Sequence, residues 1–311
     1  MTTACADQLG DSLCPAAPAV DRGHCCVRIG PVDVVLDSAL PDAAEDFAHL
    51  YRGWLCSAPR SGRTIHLQVR ATPRRFLGGR RFAVYGDGEK LFDDLYAAEV
   101  LPYLEWGINY RLLATGPERL QLHAATMAFR QRGVLLAGGS GCGKSTLAAV
   151  LAARSWDYLC DEFALIDADS LRVHSFPKAL CIKAGSFKLI ERLGLPLWRR
   201  RPYVKVFKGE VGYVSPRAVN AQEGSFPVRL IVFPRYTGGG RAMAYRVSPS
   251  EAAFTLAANT FNRSVFGDRI VALLDRVVRG ATCVAVEIGD IEETGALLES
   301  LLADCPTRRQ G

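Results

Sequence analysis

The sequence contains no apolar run long enough to cross a membrane. No segment approaches the roughly 18–20 continuous apolar residues that a membrane-spanning helix needs. Residues 1–23 contain three aspartates and lack the apolar core of a signal peptide. We therefore expect a cytoplasmic protein without a membrane partner.

The usual zinc-binding spacings of cysteine and histidine are also missing. Ten cysteines are present, but no two form a Cys-x-x-Cys pair, and none of the five histidines lies at zinc-finger spacing. In a reducing cytosol we expect free thiols, several of them as small core residues. A redox-active pair at Cys25-Cys26 is the alternative.

Charge of one sign is not in large excess. The formal net charge is +6, and the contents of 49% hydrophobic and 23% charged residues are ordinary for a soluble globular protein. This balance does not indicate nucleic acid as a partner, but it favours an acidic ligand such as phosphate. The arginine clusters are either solvated surface or a site for phosphate or peptide, and they lie at Arg74-Arg75, Arg80-Arg81 and Arg199-Arg200-Arg201.

The patterning of the 311 residues predicts a tail followed by two units. Residues 1–23, rich in Ala, Asp and Pro, are predicted to be a flexible tail. An α+β module is predicted over 24–116. Its elements are strands over 25–36 broken at Gly30-Pro31, a helix over 42–54, strands at 64–69 and 81–85, and a helix over 91–113 that Pro102 kinks or divides.

A second unit, a mixed α/β domain, is predicted over 117–305. Hydrophobic periodicity and turn residues place its elements. Strands are predicted at 120–129, 133–137, 158–166, 230–233 and 282–288, and helices at 145–153, 186–193, 249–260, 267–279 and 291–302.

The strongest motif is a complete P-loop, Gly138-Gly139-Ser140-Gly141-Cys142-Gly143-Lys144-Ser145. An apolar strand precedes it and a helical Ala/Leu run follows it, which is the context that the motif requires. Glycine lets the backbone approach phosphate, and the helix N-terminus attracts it. Lys144 is expected to reach the β- and γ-phosphates, and the Ser145 hydroxyl to bind Mg²⁺. We therefore predict an ATP site formed by residues 138–145 together with Thr146.

An acidic pair, Asp161-Glu162, follows the P-loop helix at a short interval. Such a short connection would return the acids to the Lys144–Ser145 end of the helix. One carboxylate could then serve Mg²⁺, and the other could take a proton from an attacking hydroxyl. The alternative is a surface turn that happens to carry two acids.

Together these motifs resemble the catalytic domain of the HPr kinase/phosphorylase family, and more closely the HprK-related kinases of bacteria. In that family a His-Gly or His-Ala step precedes the P-loop and an acidic pair follows it. The similar segments lie within about residues 100–270 and are Leu104-Glu105-Trp106-Gly107-Ile108-Asn109, Leu122-His123-Ala124-Ala125, Cys160-Asp161-Glu162-Phe163-Ala164-Leu165, Phe233-Pro234-Arg235-Tyr236 and Asn259-Thr260-Phe261-Asn262.

The resemblance implies an HPr-kinase-like P-loop domain behind a smaller α+β module. It also implies transfer of the γ-phosphoryl group of ATP to a Ser or Thr hydroxyl of a small protein or peptide. The sequence departs from the HPr kinases at Glu162, where they have a second Asp, and at 179–183, where they carry Glu-Arg-Gly. Phosphorylase activity and HPr as the substrate are therefore not predicted.

Roles follow from the resemblance residue by residue. We predict Asp161 as the general base, with His123, Lys144 and Arg235 as the other catalytic residues. Ser145 and Glu162 are predicted to serve the metal. For His123 the alternative is a strand residue satisfied in the core. Weaker candidates for the site are Lys183, Lys208, Asn262 and Arg263.

Other functions stay open at this point. The chain could be a nucleotide-dependent switch or scaffold that binds ATP without transferring phosphate, or a kinase acting on a small-molecule hydroxyl. A carboxykinase-like reaction is a weaker alternative, because no arginine constellation for a dicarboxylate substrate is visible. A homo-oligomer is also left open.

Overall fold

The structure is a computed structural model, and it describes residues 23–60, 62–73, 79–115 and 118–305. Nearly all of the predicted tail, the pair Arg74-Arg75 and the predicted boundary at 116–117 lie outside these ranges. Within them, no helix combines the length and the apolar composition that crossing a membrane requires.

The first module is a five-stranded sheet with two helices packed on it. Its strands are β1 His24–Ile29, β2 Val32–Ser38, β3 Thr64–Thr72, β4 Arg81–Gly86 and β5 Glu89–Leu95. Its helices are α1 Pro41–Leu50 and α2 Ala97–Thr115, with a 3-10 turn at Arg52–Trp54. The strands lie in chain order, and only β2 and β3 are parallel among them. Helix α1 forms the crossover that a parallel pair needs.

The predicted helix over 91–113 is wrong at its start. Residues 89–95 form β5, because the tight turn at Asp87 and Gly88 folds the chain back onto β4. Both turn residues have positive φ, 49° and 83°, as in the two-residue turns that fit hairpin twist. Helix α2 then runs through Pro102 as one element, so the proline does not divide it.

The second part contains a nine-stranded mixed sheet. Its strands are β6 Arg119–Leu122, β7 Ala124–Phe129, β8 Arg132–Ala137, β9 Asp157–Cys160, β10 Ala164–Asp167, β11 Arg172–His174, β15 Ser225–Tyr236, β16 Met243–Arg246 and β17 Thr282–Ile288. The order is β6-β10-β11-β15-β8-β7-β9, with β17 also paired to β15 and β16 paired to β17. Strand β15 is parallel to both β8 and β17, so the strand that leads into the P-loop is central.

A three-stranded sheet and six helices complete this part as far as the structure describes it. The small sheet has the order β12-β14-β13 and consists of β12 Leu180–Lys183, β13 Leu197–Lys205 and β14 Gly209–Val214. The helices are α3 Lys144–Ala153, α4 Phe187–Arg192, α5 Pro249–Ala258, α6 Arg263–Phe266, α7 Arg269–Arg279 and α8 Ile291–Ala303. Further 3-10 turns lie at Ala184–Ser186 and Pro216–Val219. Most predicted helices of this unit are confirmed within a residue or two.

Two predicted strands are each split in the structure. The strand predicted over 120–129 breaks at His123, whose N–H donates to the Asn259 carbonyl 2.7 Å away. The strand predicted over 158–166 breaks at 161–163. The physical reason is a change of partners: β7 pairs with β9, whereas β6 pairs with β10. Both breaks lie beside the P-loop.

The apolar core does not stop at the end of the first module. One continuous cluster joins Phe47 and Leu104 of the first module to Phe163, Tyr203 and Tyr213 of the second part. Helix α2 accordingly packs against β13. The predicted domain limits remain a prediction, but the two parts share a packed interface.

Candidate functional site

The P-loop connects β8 to α3 and owes its shape to glycine. Gly138, Gly141 and Gly143 have φ of 152°, 90° and 104°, the region in which residues with a Cβ are strained. A Cβ on Gly139 or Gly141 would meet nothing within 4 Å. The loop also borders a pocket through Ser140, Gly141 and Gly143, so its inner face is accessible, as a phosphate cradle must be.

Lys144 folds back over this loop. Its buried side chain places Nζ 2.6 Å from the carbonyl oxygen of Gly138 and 2.9 Å from that of Gly139, and it donates to both. Both acceptors are neutral carbonyl oxygens. An incoming phosphate carries a full negative charge and would therefore compete with them for the ammonium group.

Asp161 is buried directly after β9. It lies in the same pocket as Ser145, and its Oδ1 atom has no hydrogen-bond partner among the described residues. Burial, with the neighbouring charge of Glu162 as a second cause, raises the pKa of Asp161 to about 6. The carboxylate therefore has a buried acceptor atom that no described residue satisfies.

Glu162 has a different environment. Its side chain is 25% exposed; Oε1 accepts from Lys205 Nζ at 3.3 Å, and Oε2 accepts from Asn109 Nδ2. Burial alone would raise the pKa of Glu162, but the charges of Lys205, Lys178 and Lys208 outweigh it and hold the pKa at about 2. Glu162 is therefore ionised at neutral pH.

The break between β9 and β10 allows both acids to serve one pocket. On a continuous strand, adjacent side chains would point to opposite faces. The chain bends at 161–163 instead, and both carboxylates line the pocket beside the P-loop. The pocket is lined by His123, Ser140, Gly141, Gly143, Lys144, Ser145, Thr146, Asp161, Glu162, Cys181, Lys183, Ser186 and Lys208.

Several residues predicted separately from the sequence therefore meet here. His123, Lys183 and Lys208 join the P-loop and the acid pair, although they come from distant segments. Burial and the positive charge of Lys144 lower the pKa of His123 to about 4, so its imidazole is neutral at pH 7. A neutral imidazole donates a hydrogen bond through one ring nitrogen and accepts one through the other.

Three predicted residues, Arg235, Asn262 and Arg263, are not among the described residues that line the pocket; Arg263 is exposed at the start of α6. Arg235 is 79% exposed in its side chain, 3.9 Å from Glu287, and it is not among the described residues that line the pocket. Asn262 is buried and supports β6: its Oδ1 accepts from the Gln121 N–H at 3.0 Å, and its Nδ2 donates to the Arg119 carbonyl at 2.7 Å. The catalytic role of Arg235 stays a prediction.

One arginine cluster is occupied by salt bridges. Arg199 pairs with Glu191 at 3.0 Å, Arg200 pairs with Glu45 at 3.1 Å, and Arg201 pairs with Asp42. The solvated-surface interpretation therefore describes this cluster better than a phosphate site does.

A second cavity, the α3 groove, adjoins the pocket. It shares Gly141, Gly143, Thr146 and Ser186 with the pocket. Its apolar lining consists of Leu147, Val150, Leu189, Leu193, Tyr236, Ile288 and Ile291. Sequence reasoning missed this groove, because its walls come from five separate elements.

Sequence reasoning also missed the residues that hold Glu162. Asn109 entered only as part of a similar segment, and Lys205 belongs to a strand that was not predicted. Ser186, whose hydroxyl lies 2.9 Å from that of Thr146, was missed as well. Asn109 stands four residues after Glu105 on a helix, and this spacing could have indicated that the two polar residues share a face. No pattern in the sequence indicated Lys205.

The donor set at the pocket suits a hard cation. The described residues include no group of three or more His, Cys, Asp or Glu side chains arranged to hold a metal by themselves. Hydroxyl and carboxylate oxygens are present at Ser145, Asp161 and Glu162. Such oxygens, completed by phosphate and water, are typical of Mg²⁺ sites at nucleotides.

Comparison with known proteins adds little. Neither a protein-family model nor a curated protein sequence matches the chain. Among solved structures, the chain is similar to the Hpr(Ser) kinase/phosphatase from Coxiella burnetii, with a TM-score of 0.28 and 12% sequence identity. The match covers 59% of this chain and 88% of that chain.

Proposed function

We propose that the chain is an ATP-dependent kinase that transfers the γ-phosphoryl group to a Ser or Thr hydroxyl of a small protein or peptide. One observation carries the proposal. The buried side chain of Asp161 lines the same pocket as Lys144 and Ser145 of the P-loop, and its Oδ1 atom has no partner among the described residues.

The two cavities fit the two ends of ATP. The open inner face of the P-loop offers backbone N–H groups and the N-terminus of α3 to the phosphates. The α3 groove adjoins it and offers an apolar wall, with the ring of Tyr236 64% exposed. We place the nucleoside there, because an aromatic face beside aliphatic side chains suits a planar base.

Mg²⁺ fits the same pocket. Ser145 would hold it together with phosphate oxygens, and bound Mg²⁺ would supply positive charge to the transferring group. Both oxygens of Glu162 already accept hydrogen bonds, from Asn109 and Lys205. We therefore assign Glu162 an outer-sphere role, in which its charge attracts the cation and its waters.

In the proposed reaction, the Asp161 carboxylate accepts the proton of the acceptor hydroxyl while the hydroxyl oxygen attacks the γ-phosphorus. A bond forms between that oxygen and phosphorus, the bond to the β–γ bridging oxygen breaks, and ADP leaves with the electron pair. Lys144, Lys183 and Lys208 offer positive charge where the transferring oxygens would lie. His123, neutral at pH 7, is placed to hydrogen-bond the acceptor or the γ-phosphate.

Labelled ATP tests this proposal. The protein is incubated with γ-labelled ATP and Mg²⁺, together with a Ser/Thr peptide library or a size-fractionated cell extract. We expect acid-stable label on Ser or Thr of a small protein or peptide. ATP binding without any transfer would favour the switch alternative, and label only in the small-molecule fraction would favour a small-molecule kinase. Absence of ATP binding would overturn the P-loop assignment itself.

A further inference from the structure

A chain of buried polar groups joins helix α2 to the acid pair. We call it the α2 network. All of its members are buried except Glu162, which ends it at the pocket wall. The members are Tyr51, Glu105, Asn109, Lys178, Lys205 and Glu162.

The network begins at Glu105, deep in the interface. Lys178 Nζ lies 3.2 Å from Glu105 Oε2 and donates to the Glu105 carbonyl oxygen at 2.6 Å. The other carboxylate oxygen, Oε1, accepts from the Tyr51 hydroxyl at 2.9 Å. That hydroxyl in turn accepts from the Ala179 N–H at 2.9 Å. Glu105 is therefore fixed from two sides.

Asn109 transmits this order to the pocket. It stands one helical turn after Glu105, on the same face of α2. Its Oδ1 accepts from Lys178, which leaves Nδ2 to donate to Glu162 Oε2. Since Lys178 can only donate, the amide is locked in the orientation that presents its N–H groups to Glu162.

The charges of the network balance in two pairs. Lys178 stands beside Glu105 at 3.2 Å, and Lys205 stands beside Glu162 at 3.3 Å. Lys205 is also held over the Trp106 ring, 5.3 Å from its centroid. Burying two such pairs costs more desolvation than an apolar interface would. The two ion pairs and the Asn109 amide hold the Glu162 carboxylate in a single position beside the P-loop.

We propose that Asn109 and Glu105 are positioning residues of the phosphoryl-transfer site, acting through Glu162. The first module is then a structural part of the active site, because α2 supplies the hydrogen bond that orients one of its two acids. This inference rests on the proposed kinase function, and it assigns that module a role in the reaction.

Substitution of Asn109 by Leu removes the amide and keeps a good helix former of similar size. Loss of an outer-shell partner typically costs about 10–100-fold in metal affinity or activity. We expect the Mg²⁺ concentration at half-maximal rate to rise, or kcat to fall, by such a factor. The dissociation constant of ATP measured without metal should stay the same. Tyr110→Leu, at an exposed position of the same helix, is the matched control and should behave as the parent.

Further variants keep the proposal testable if Asn109→Leu does not fold. Glu105→Gln keeps shape and the contact with Tyr51 but removes the charge beside Lys178, and it should shift the Mg²⁺ dependence in the same direction. Glu99→Gln on the same helix is its control. Asn109→Gln, which retains an amide, should recover part of the parental Mg²⁺ dependence, which a loss of packing alone would not explain.

The outcomes separate the two proposals. If the parent binds ATP but transfers no phosphate, the kinase function fails and this inference falls with it. If the parent is active and folded Asn109→Leu and Glu105→Gln match its kcat and Mg²⁺ dependence, only the positioning role is overturned.

Discussion

The two walls of the pocket are built in different ways. The P-loop wall is one continuous segment, 138–146, which acts mainly through its backbone and the start of a helix. The other wall, called the network wall, carries Glu162 at the 161–163 bend. Asn109 of α2 and Lys205 at the end of β13 do not line the pocket but hold Glu162 from behind. The shape of the first wall is determined by residues that are adjacent in the sequence, whereas the second wall depends on packing between segments that are far apart in the sequence. Substitutions on the two walls should therefore fail in different ways.

The largest effect is expected on the P-loop wall. Lys144→Ala should abolish phosphoryl transfer and weaken binding of ATP with Mg²⁺, since the γ-phosphate loses its main positive contact. Label transfer and ATP titration measure the two effects. Lys90→Ala, an exposed lysine paired with Asp93, is the control. Full activity in a folded Lys144→Ala protein would contradict the assignment of this segment as a phosphate-binding P-loop.

Asp161 stands between the two walls, and its substitution should separate binding from chemistry. Asp161→Asn preserves size and removes the basic oxygen, so we expect kcat to fall by about 10²–10⁴, the usual range for loss of a general base. ATP affinity should be nearly kept. Steady-state kinetics and ATP titration give both values, with the exposed Asp169→Asn as the control. A parental rate in Asp161→Asn would contradict the base assignment.

On the network wall, Glu162→Gln should cost less in kcat than Asp161→Asn and should raise the Mg²⁺ concentration at half-maximal rate. It should also lower thermal stability, because Lys205 would remain buried without its counter-charge. Rate measurements across Mg²⁺ concentrations and thermal melts test the two parts. An inactive Glu162→Gln beside a fully active Asp161→Asn would reverse the assigned roles.

The smallest expected effect concerns His123 and acid. Its pKa is about 4 in the folded chain and about 6.5 in the unfolded chain, so only the unfolded state takes up the proton between these values. Stability should therefore fall as the pH drops below about 6.5. At pH 5 this effect should lower the free energy of unfolding of the parent by on the order of 1 kcal/mol, a value reduced because the ring is partly exposed. His123→Asn should not show this part of the loss.

Urea unfolding of His123→Asn and the parent at pH 7.5 and pH 5 measures this difference. His66→Asn, on the exposed face of β3, is the control. Equal losses of unfolding free energy in the parent and in His123→Asn would show that His123 is accessible to protons in the folded state.

Sequence reasoning predicted the P-loop wall well, because its signals are local. The glycines, the preceding apolar strand and the following helix are contiguous, and α3 begins at Lys144 as the motif requires. The split at His123 could not be predicted in the same way, since it depends on a hydrogen bond to Asn259, far along the chain. Likewise, Leu91 and Leu95 have helical spacing, but the hairpin turn before them decides in favour of β5.

Strand β15 has a further consequence, for the order of folding. Its register places Leu230 opposite both Val134 of β8 and Thr282 of β17. Pairings between such distant segments form slowly, because the entropy of closing a long loop is lost before the contacts are gained. Strand β8, which leads into the P-loop, therefore lacks one of its two neighbours in the sheet until β15 has been synthesised and has paired with it. We expect nucleotide affinity to appear late during synthesis of the chain, and an emerging chain without β15 to bind ATP poorly.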